Sequence, residues 1–114
     1  MKKTDAVEAL AALAQDNRLD VFRLLVQAGP AGMSAGALST ALDIAPNALT
    51  FHFDRLRKAG LVSVRREGRS MIYAAQYATM NSLLSYLTEN CCGGAASGLA
   101  TEGKPIRKRT IVAA

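Results

Sequence analysis

Val7, Leu10 and Leu13 recur three residues apart in a segment, Asp5 to Leu13, otherwise made of alanine and polar residues. This spacing predicts an amphipathic helix whose apolar edge needs a partner surface. Asp16 suits the N-cap of a second helix through Leu19, Phe22, Leu25 and Val26, which Gly29-Pro30 ends. Ser34 fits the cap of a short third helix carrying Leu38 and Leu42, and a brief turn over 43–45 follows. Pro46 takes the first position of a fourth helix, where its missing N–H is no loss. There Leu49, Phe53 and Leu56 form the buried stripe, and Asn47, Ala48, Thr50, Phe51 and Asp54 fall on the other face. Gly60 suits that helix's C-terminus.

Beyond Gly60 the period changes to two. Val62 and Val64 alternate with Ser63 and Arg65, and Met71, Ile72 and Tyr73 follow across a Glu67-Gly68 turn, which predicts a β-hairpin. Met80, Leu83, Leu84 and Leu87 then return to helical spacing, and one more step of four brings the stripe to Cys91. The expected fold class is mainly α with a small β-hairpin (α+β), in the order α-α-α-α-β-β-α. Two short helices joined by a tight turn, with a hairpin after the second, make a winged helix-turn-helix. The expected division is a folded unit over 1–92 and a flexible basic tail over 93–114.

The chain has 114 residues, enough for one domain of ordinary size, and half of them are hydrophobic. No run approaches the roughly 18 apolar residues of a membrane span, and the N-terminus lacks the apolar core of a signal peptide. A cytoplasmic protein with no membrane partner is the expectation. Fourteen Lys and Arg against nine Asp and Glu give a net charge of +5, and the distribution is uneven. Arg55, Arg57, Lys58, Arg65, Arg66 and Arg69 face only Glu67 as an anion in the same stretch. Such concentration points to a polyanion, most simply nucleic-acid phosphate. A second cluster, Lys104 to Arg109, reads equally as a solubilising end or an auxiliary phosphate contact.

In a helix-turn-helix the exposed N-terminal half of the second helix meets base edges. Asn47, Ala48, Thr50 and Phe51 are therefore the candidate readers: Asn can bond adenine, and Ala, Thr and Phe suit a thymine methyl. For Phe51, burial against the wing is the competing reading. Arg55, Arg57, Arg65, Arg66 and Arg69, with Ser70 beside them, are candidate backbone or minor-groove contacts. The sole histidine, His52, reads as a structural residue behind the helix.

The only cysteines are adjacent, Cys91 and Cys92. Neighbouring α-carbons lie ~3.8 Å apart, less than the ~4.4 to 6.8 Å of a relaxed disulfide. Two free thiols offer a soft two-point grip on a thiophilic ion. Against an enzyme, no second base or phosphate-cradling loop accompanies them. Packing of one thiol at a helix interface is the plainer alternative.

Three blocks, ALAQDNRLDVFRLL, NALTFHFDRLRKAGLV and RREGRSMIY, together resemble the arsenic-repressor (ArsR-type) family of bacterial metal-sensing transcriptional repressors. The likeness runs from Val7 to Cys92. It implies a homodimer paired through the first and last helices that binds a palindromic operator and releases it when an effector binds. The third-helix cysteine motif of many members is absent from Met33–Leu38, and the last helix lacks the Asp and His of zinc-binding members. Cys91-Cys92 is similar to the terminal-cysteine variants that sense trivalent arsenic, as arsenite or methylarsenite, or antimonite. No organic cofactor is implied. The alternatives left open are a thiol redox switch on the same DNA-binding frame and a constitutive DNA-binding module.

Overall fold

The computed structural model describes residues 1–94. Its elements in chain order are α1 (Lys3–Leu13), α2 (Asp16–Ala28), β1 (Met33–Ser34), α3 (Ala35–Leu42), α4 (Pro46–Lys58), β2 (Val62–Glu67), β3 (Ser70–Ala75) and α5 (Tyr77–Leu87), followed by a 3-10 turn at Cys91–Gly94. This is a winged helix-turn-helix, with one addition to the expected order. The two residues of β1 pair antiparallel with β3, Met33 with Tyr73 and Ser34 with Ile72, and make a three-stranded sheet in the order β1-β3-β2. The basic tail anticipated from residue 93 lies, past Gly94, outside the described residues.

The helices start and stop for local reasons. Ser34 Oγ accepts from the Ala37 amide, and Pro46 stands at N1 of α4, both as the sequence implies. The α2 cap is Gln15, whose side chain accepts from the Arg18 amide at 2.9 Å; Asp16 is already helical, where its charge suits the positive end of the helix dipole. Between α3 and α4, Asp43 adopts left-handed backbone at φ 55° and Ser39 Oγ donates to the Ile44 carbonyl at 2.6 Å. At the end of α4 the Leu61 amide bonds the Leu56 carbonyl and the Gly60 amide bonds the Arg57 carbonyl, with Gly60 at φ 78°. That is a Schellman termination, whose two flanking leucines are both fully buried.

The core gathers Val21, Phe22 and Leu25 of α2, Leu38 of α3, Leu49, Phe53 and Leu56 of α4, Leu61, Val62 and Leu83. On α1 the alanines meet the core of the chain, and most of the apolar edge that needs a partner surface stays outside it. Ala6, Ala9 and Ala12 face inward, while Val7 and Leu10 are 58% and 42% exposed. Alanines let α1 lie close on its neighbours, and the larger apolar side chains are left outside. On α5 Leu83 is buried and Met80 half-buried, but Leu84 and Leu87 are exposed. Leu19 of α2 is likewise exposed.

The hairpin register pairs Val62 with Ala75, Val64 with Tyr73 and Glu67 with Ser70, so the tight turn is Gly68-Arg69, one residue later than expected. Gly68 has φ 63° and Arg69 does not share that sign, the pattern of a two-residue II′ loop. Gly32, at φ 72°, is required for a second reason: a side chain there would overlap the Tyr73 carbonyl of β3.

Phe53 and Tyr73 stack at 3.6 Å between centroids and 14° between planes, joining α4 to the middle strand of the wing. Replacing Phe53 with Ala removes that stack and a wholly buried ring. It is expected to cost about 3–5 kcal/mol, read from urea denaturation followed by circular dichroism at fixed protein concentration.

Candidate nucleic-acid interface and thiol turn

Burial of Leu49, His52, Phe53 and Leu56 turns the opposite face of α4 to solvent. Asn47, Ala48, Thr50 and Phe51 are all exposed there, so burial of Phe51 against the wing is not what occurs. Two of these side chains are engaged within the helix. Asn47 Oδ1 accepts from the Ala48 amide at 3.0 Å, and Thr50 Oγ1 donates to the Pro46 carbonyl at 3.0 Å. The Asn47 amide nitrogen therefore remains available as a donor.

The basic residues divide by partner. Asp54 takes Arg57 and Lys58, each at 3.2 Å. Arg65 bonds Glu67 at 2.8 Å and reaches across the sheet to the Ala31 carbonyl at 2.8 Å, so its guanidinium ties the wing to the loop before β1. Arg55 lies over the Phe51 ring, 5.5 Å from its centroid. Arg66 and Arg69, exposed at the wing tip beside Ser70, have no side-chain partner among the described residues. Exposed pairs of this kind hold by little, so they do not prevent exchange for phosphate.

His52 is buried as expected, at 7% exposure, and sequence reasoning gave no sign of its neighbour. Arg18 is also buried and donates from Nε to the Ala12 carbonyl at 2.6 Å, joining the end of α1 to the start of α2. Burial, and after it the Arg18 charge, lowers the His52 pKa below 6.5. Its Nδ1 is enclosed without a hydrogen-bond partner, which also suits the neutral ring.

The cysteines do not lie on the α5 seam. α5 ends at Leu87, Thr88 Oγ1 donates back to the Leu84 carbonyl at 2.8 Å, and Asn90 turns left-handed at φ 57°. The thiols therefore stand on a separate turn, tied to the helix end by the Cys91 amide bonding the Thr88 carbonyl at 2.9 Å. Both are free, Cys92 exposed and Cys91 half-buried, with sulfurs 2.9 Å apart. The hydrogen bond with Cys91, then partial desolvation and the neighbouring charge, push the Cys92 thiol up. No cluster of three or more His, Cys, Asp or Glu suited to a metal occurs among the described residues. The donor set is two soft sulfurs.

A winged helix-turn-helix with an outward polar helix face and a cationic wing defines a DNA-binding regulator. A helix-turn-helix domain model matches residues 13–65. The transcriptional activator HlyU of Vibrio cholerae is 30% identical over 87 residues, covering 76% of this chain and 78% of HlyU. Its solved structure aligns at a TM-score of 0.61 with 33% identity, over 76% of this chain and 97% of that one. A structure described as reduced HlyU aligns at 0.58 with 31% identity, over 74% and 88%. An ArsR-like regulator from Rhodococcus aligns at 0.66 with 30% identity, over 74% and 76%. A homodimeric winged helix-turn-helix domain from Mycobacterium bovis shares the fold at 0.62 with 23% identity, over 76% and 81%. The chain belongs to the ArsR-type family of winged helix-turn-helix transcriptional regulators. Its relatives are DNA-binding regulators, not enzymes. No described helix is long and apolar enough to cross a membrane.

His52 fixes a pH response. With its folded pKa below the unfolded value of about 6.5, the folded state binds fewer protons, so this contribution is complete above that value and declines as pH falls through the folded pKa. Urea midpoints should fall from pH 7 towards pH 5, and His52→Gln should flatten that slope.

Proposed function

We propose that this regulator is a homodimeric repressor that holds a palindromic operator and releases it when trivalent arsenic, as arsenite or an organoarsenical, or antimonite binds Cys91 and Cys92. The observation that carries this reading is the convergence of the two sulfurs, 2.9 Å apart on an accessible turn directly after α5. Soft thiolates suit a thiophilic centre. On binding, each thiol proton leaves with one arsenic-bound hydroxide as water, and two As–S bonds form. A centre already carrying an organic substituent needs no third sulfur, which fits a chain with only two cysteines. Because both protons leave as water with hydroxides that the arsenic itself carried, the exchange releases no net proton while both thiols are protonated, and the raised pKa of Cys92 keeps that thiol in this form.

Dimerisation is supported by apolar surface in one place. Val7 and Leu10 of α1 and Leu84 and Leu87 of α5 are all exposed large hydrophobics, and α1 packs against α5 within the chain. A second copy presenting the same face would cover both, in line with the homodimeric Mycobacterium domain. Two recognition helices related by a two-fold axis call for a palindromic site. Sedimentation should show a dimer at micromolar concentration, and Leu84→Glu with Leu87→Glu should give a folded monomer with weakened operator binding. A wild-type monomer overturns the two-half-site reading.

A redox switch is the second reading. It is favoured by the contact between the two sulfurs and by the fact that the relative HlyU has a structure described as reduced. The thiols would then form a disulfide between subunits, or a mixed disulfide with a small-molecule thiol, with a peroxide taking up the two electrons and leaving as water. Cys91→Ser and Cys92→Ser should bind operator normally and fail to release it on addition of arsenite or methylarsenite in gel shifts. A double Ser variant that still dissociates places the sensing chemistry elsewhere. Release by oxidant alone, without a sulfur-to-arsenic absorbance band on titration, selects the redox reading.

A further inference from the structure

The cations of α4 are not equivalent. Asp54 shares its carboxylate between Arg57 and Lys58, whereas Arg55 has no carboxylate partner among the described residues and lies on the Phe51 ring. That ring is 54% exposed, on the face of α4 turned away from the core. A simple phosphate anchor gains nothing from a solvated aromatic platform beneath it. Asp54 also puts a negative group in the middle of the outward face, which disfavours sequence-blind attraction at that point.

Resting on the DNA-binding reading above, we infer that Phe51 and Arg55 act as one sequence-reading unit, in which the ring meets a thymine methyl and the guanidinium bonds O6 and N7 of an adjacent guanine. The chemistry of each half is suited to that base: apolar contact for the C5-methyl, a bidentate planar donor for guanine. The spacing fits as well. The guanidinium carbon stands 5.5 Å from the ring centroid, against a base rise of ~3.4 Å along one strand, so the two ends meet the same step or its neighbour. The ring also limits the wandering of the Arg55 fork before DNA arrives, so less freedom is lost when the contact forms. Arg55 thereby moves from the backbone contacts expected of it to the readers, and the wing-tip Arg66 and Arg69 are left for phosphate.

The test uses the full chain and a random duplex pool. Preferred sites are selected with wild type, Phe51→Ala, Arg55→Lys and Arg55→Ala. Affinities are then measured over a salt series on the best wild-type duplex, with single thymines replaced by deoxyuridine. In each half-site one thymine is expected whose methyl removal weakens wild type about 3- to 10-fold and leaves Phe51→Ala unchanged. Arg55→Lys is expected to lose preference for the neighbouring guanine by about 5- to 100-fold, with affinity for unrelated duplex retained.

Two results overturn the inference. In one, Arg55→Ala weakens every duplex equally and reduces the salt slope by about one, the mark of a phosphate contact. In the other, Phe51→Ala lowers the melting temperature and leaves the selected site unchanged, so the ring merely covers the cleft that it edges with Ala11 and Ala12 of α1. A wild-type chain that selects no sequence removes the DNA-reading proposal itself, and the two failures are thereby told apart.

Discussion

Leu49, Phe53 and Leu56 sink one face of α4 into the core, and Leu61 closes the helix by returning its amide to the Leu56 carbonyl. The same residue begins the wing, since its carbonyl accepts the Gln76 amide at the far end of the hairpin at 2.8 Å. A reader of this type needs a helix and a wing in fixed relation, and here main-chain hydrogen bonds set that relation. The Phe53–Tyr73 stack reinforces it, because Tyr73 lies in the middle strand, paired to Met33 on one side and Val64 on the other. Moving the wing against α4 would have to break the stack and the sheet together. The exposed face of α4 is outward as a consequence of that packing.

What the sequence made legible is what local rules decide. The α4 stripe, Pro46 at N1, the Ser34 cap and the Gly60 exit each depend on residues within a turn of one another, and each is found in place. The strand β1 depends on Gly32 tolerating the approach of the Tyr73 carbonyl, a contact far along the chain that no periodicity reveals. The alanine packing face of α1 has a different cause. Hydrophobic size ranks Val7 and Leu10 above alanine, but close helix packing selects alanine, and the larger side chains remain exposed. Counting in fours places the thiols on the α5 seam, but Thr88 and left-handed Asn90 end the helix before it reaches them. Of the candidate interface, the outward residues of α4 were legible from the wheel. The division of cations among Asp54, Phe51 and Glu67 was not, because it depends on rotamers.

That division changes the meaning of the net charge. Of the six cations between Arg55 and Arg69, three have a carboxylate within 3.2 Å. The pairs are exposed and weak, so phosphate can displace them, but Asp54 and Glu67 stay beside any phosphate that does. Among the described residues no carboxylate pairs Arg66 or Arg69, so the wing tip is the part of the hairpin most open to phosphate. On the proposed reading a positive composition draws the protein to DNA, while local pairing decides which surface would take the phosphates and which would be left to read bases.

The separation of the thiols from α5 bears on how an effector would be felt at the DNA. On the proposed reading, ligation closes two sulfurs around one centre on a turn joined to the helix end through Thr88, whose carbonyl accepts the Cys91 amide and whose hydroxyl bonds Leu84. Leu84 and Leu87 occupy that same last stretch of helix and are the exposed apolar residues offered to a partner. A constraint imposed on the turn thus acts where the two subunits would meet, and the recognition helices inherit any change in their relative angle. The demand on the device is small: ~1.4 kcal/mol of coupling is a tenfold change in operator affinity. A short link carrying one main-chain and one side-chain hydrogen bond is of that order. On that reading the turn can sit outside the packed core, accessible to an effector, and still hold enough purchase on the proposed dimer seam to matter.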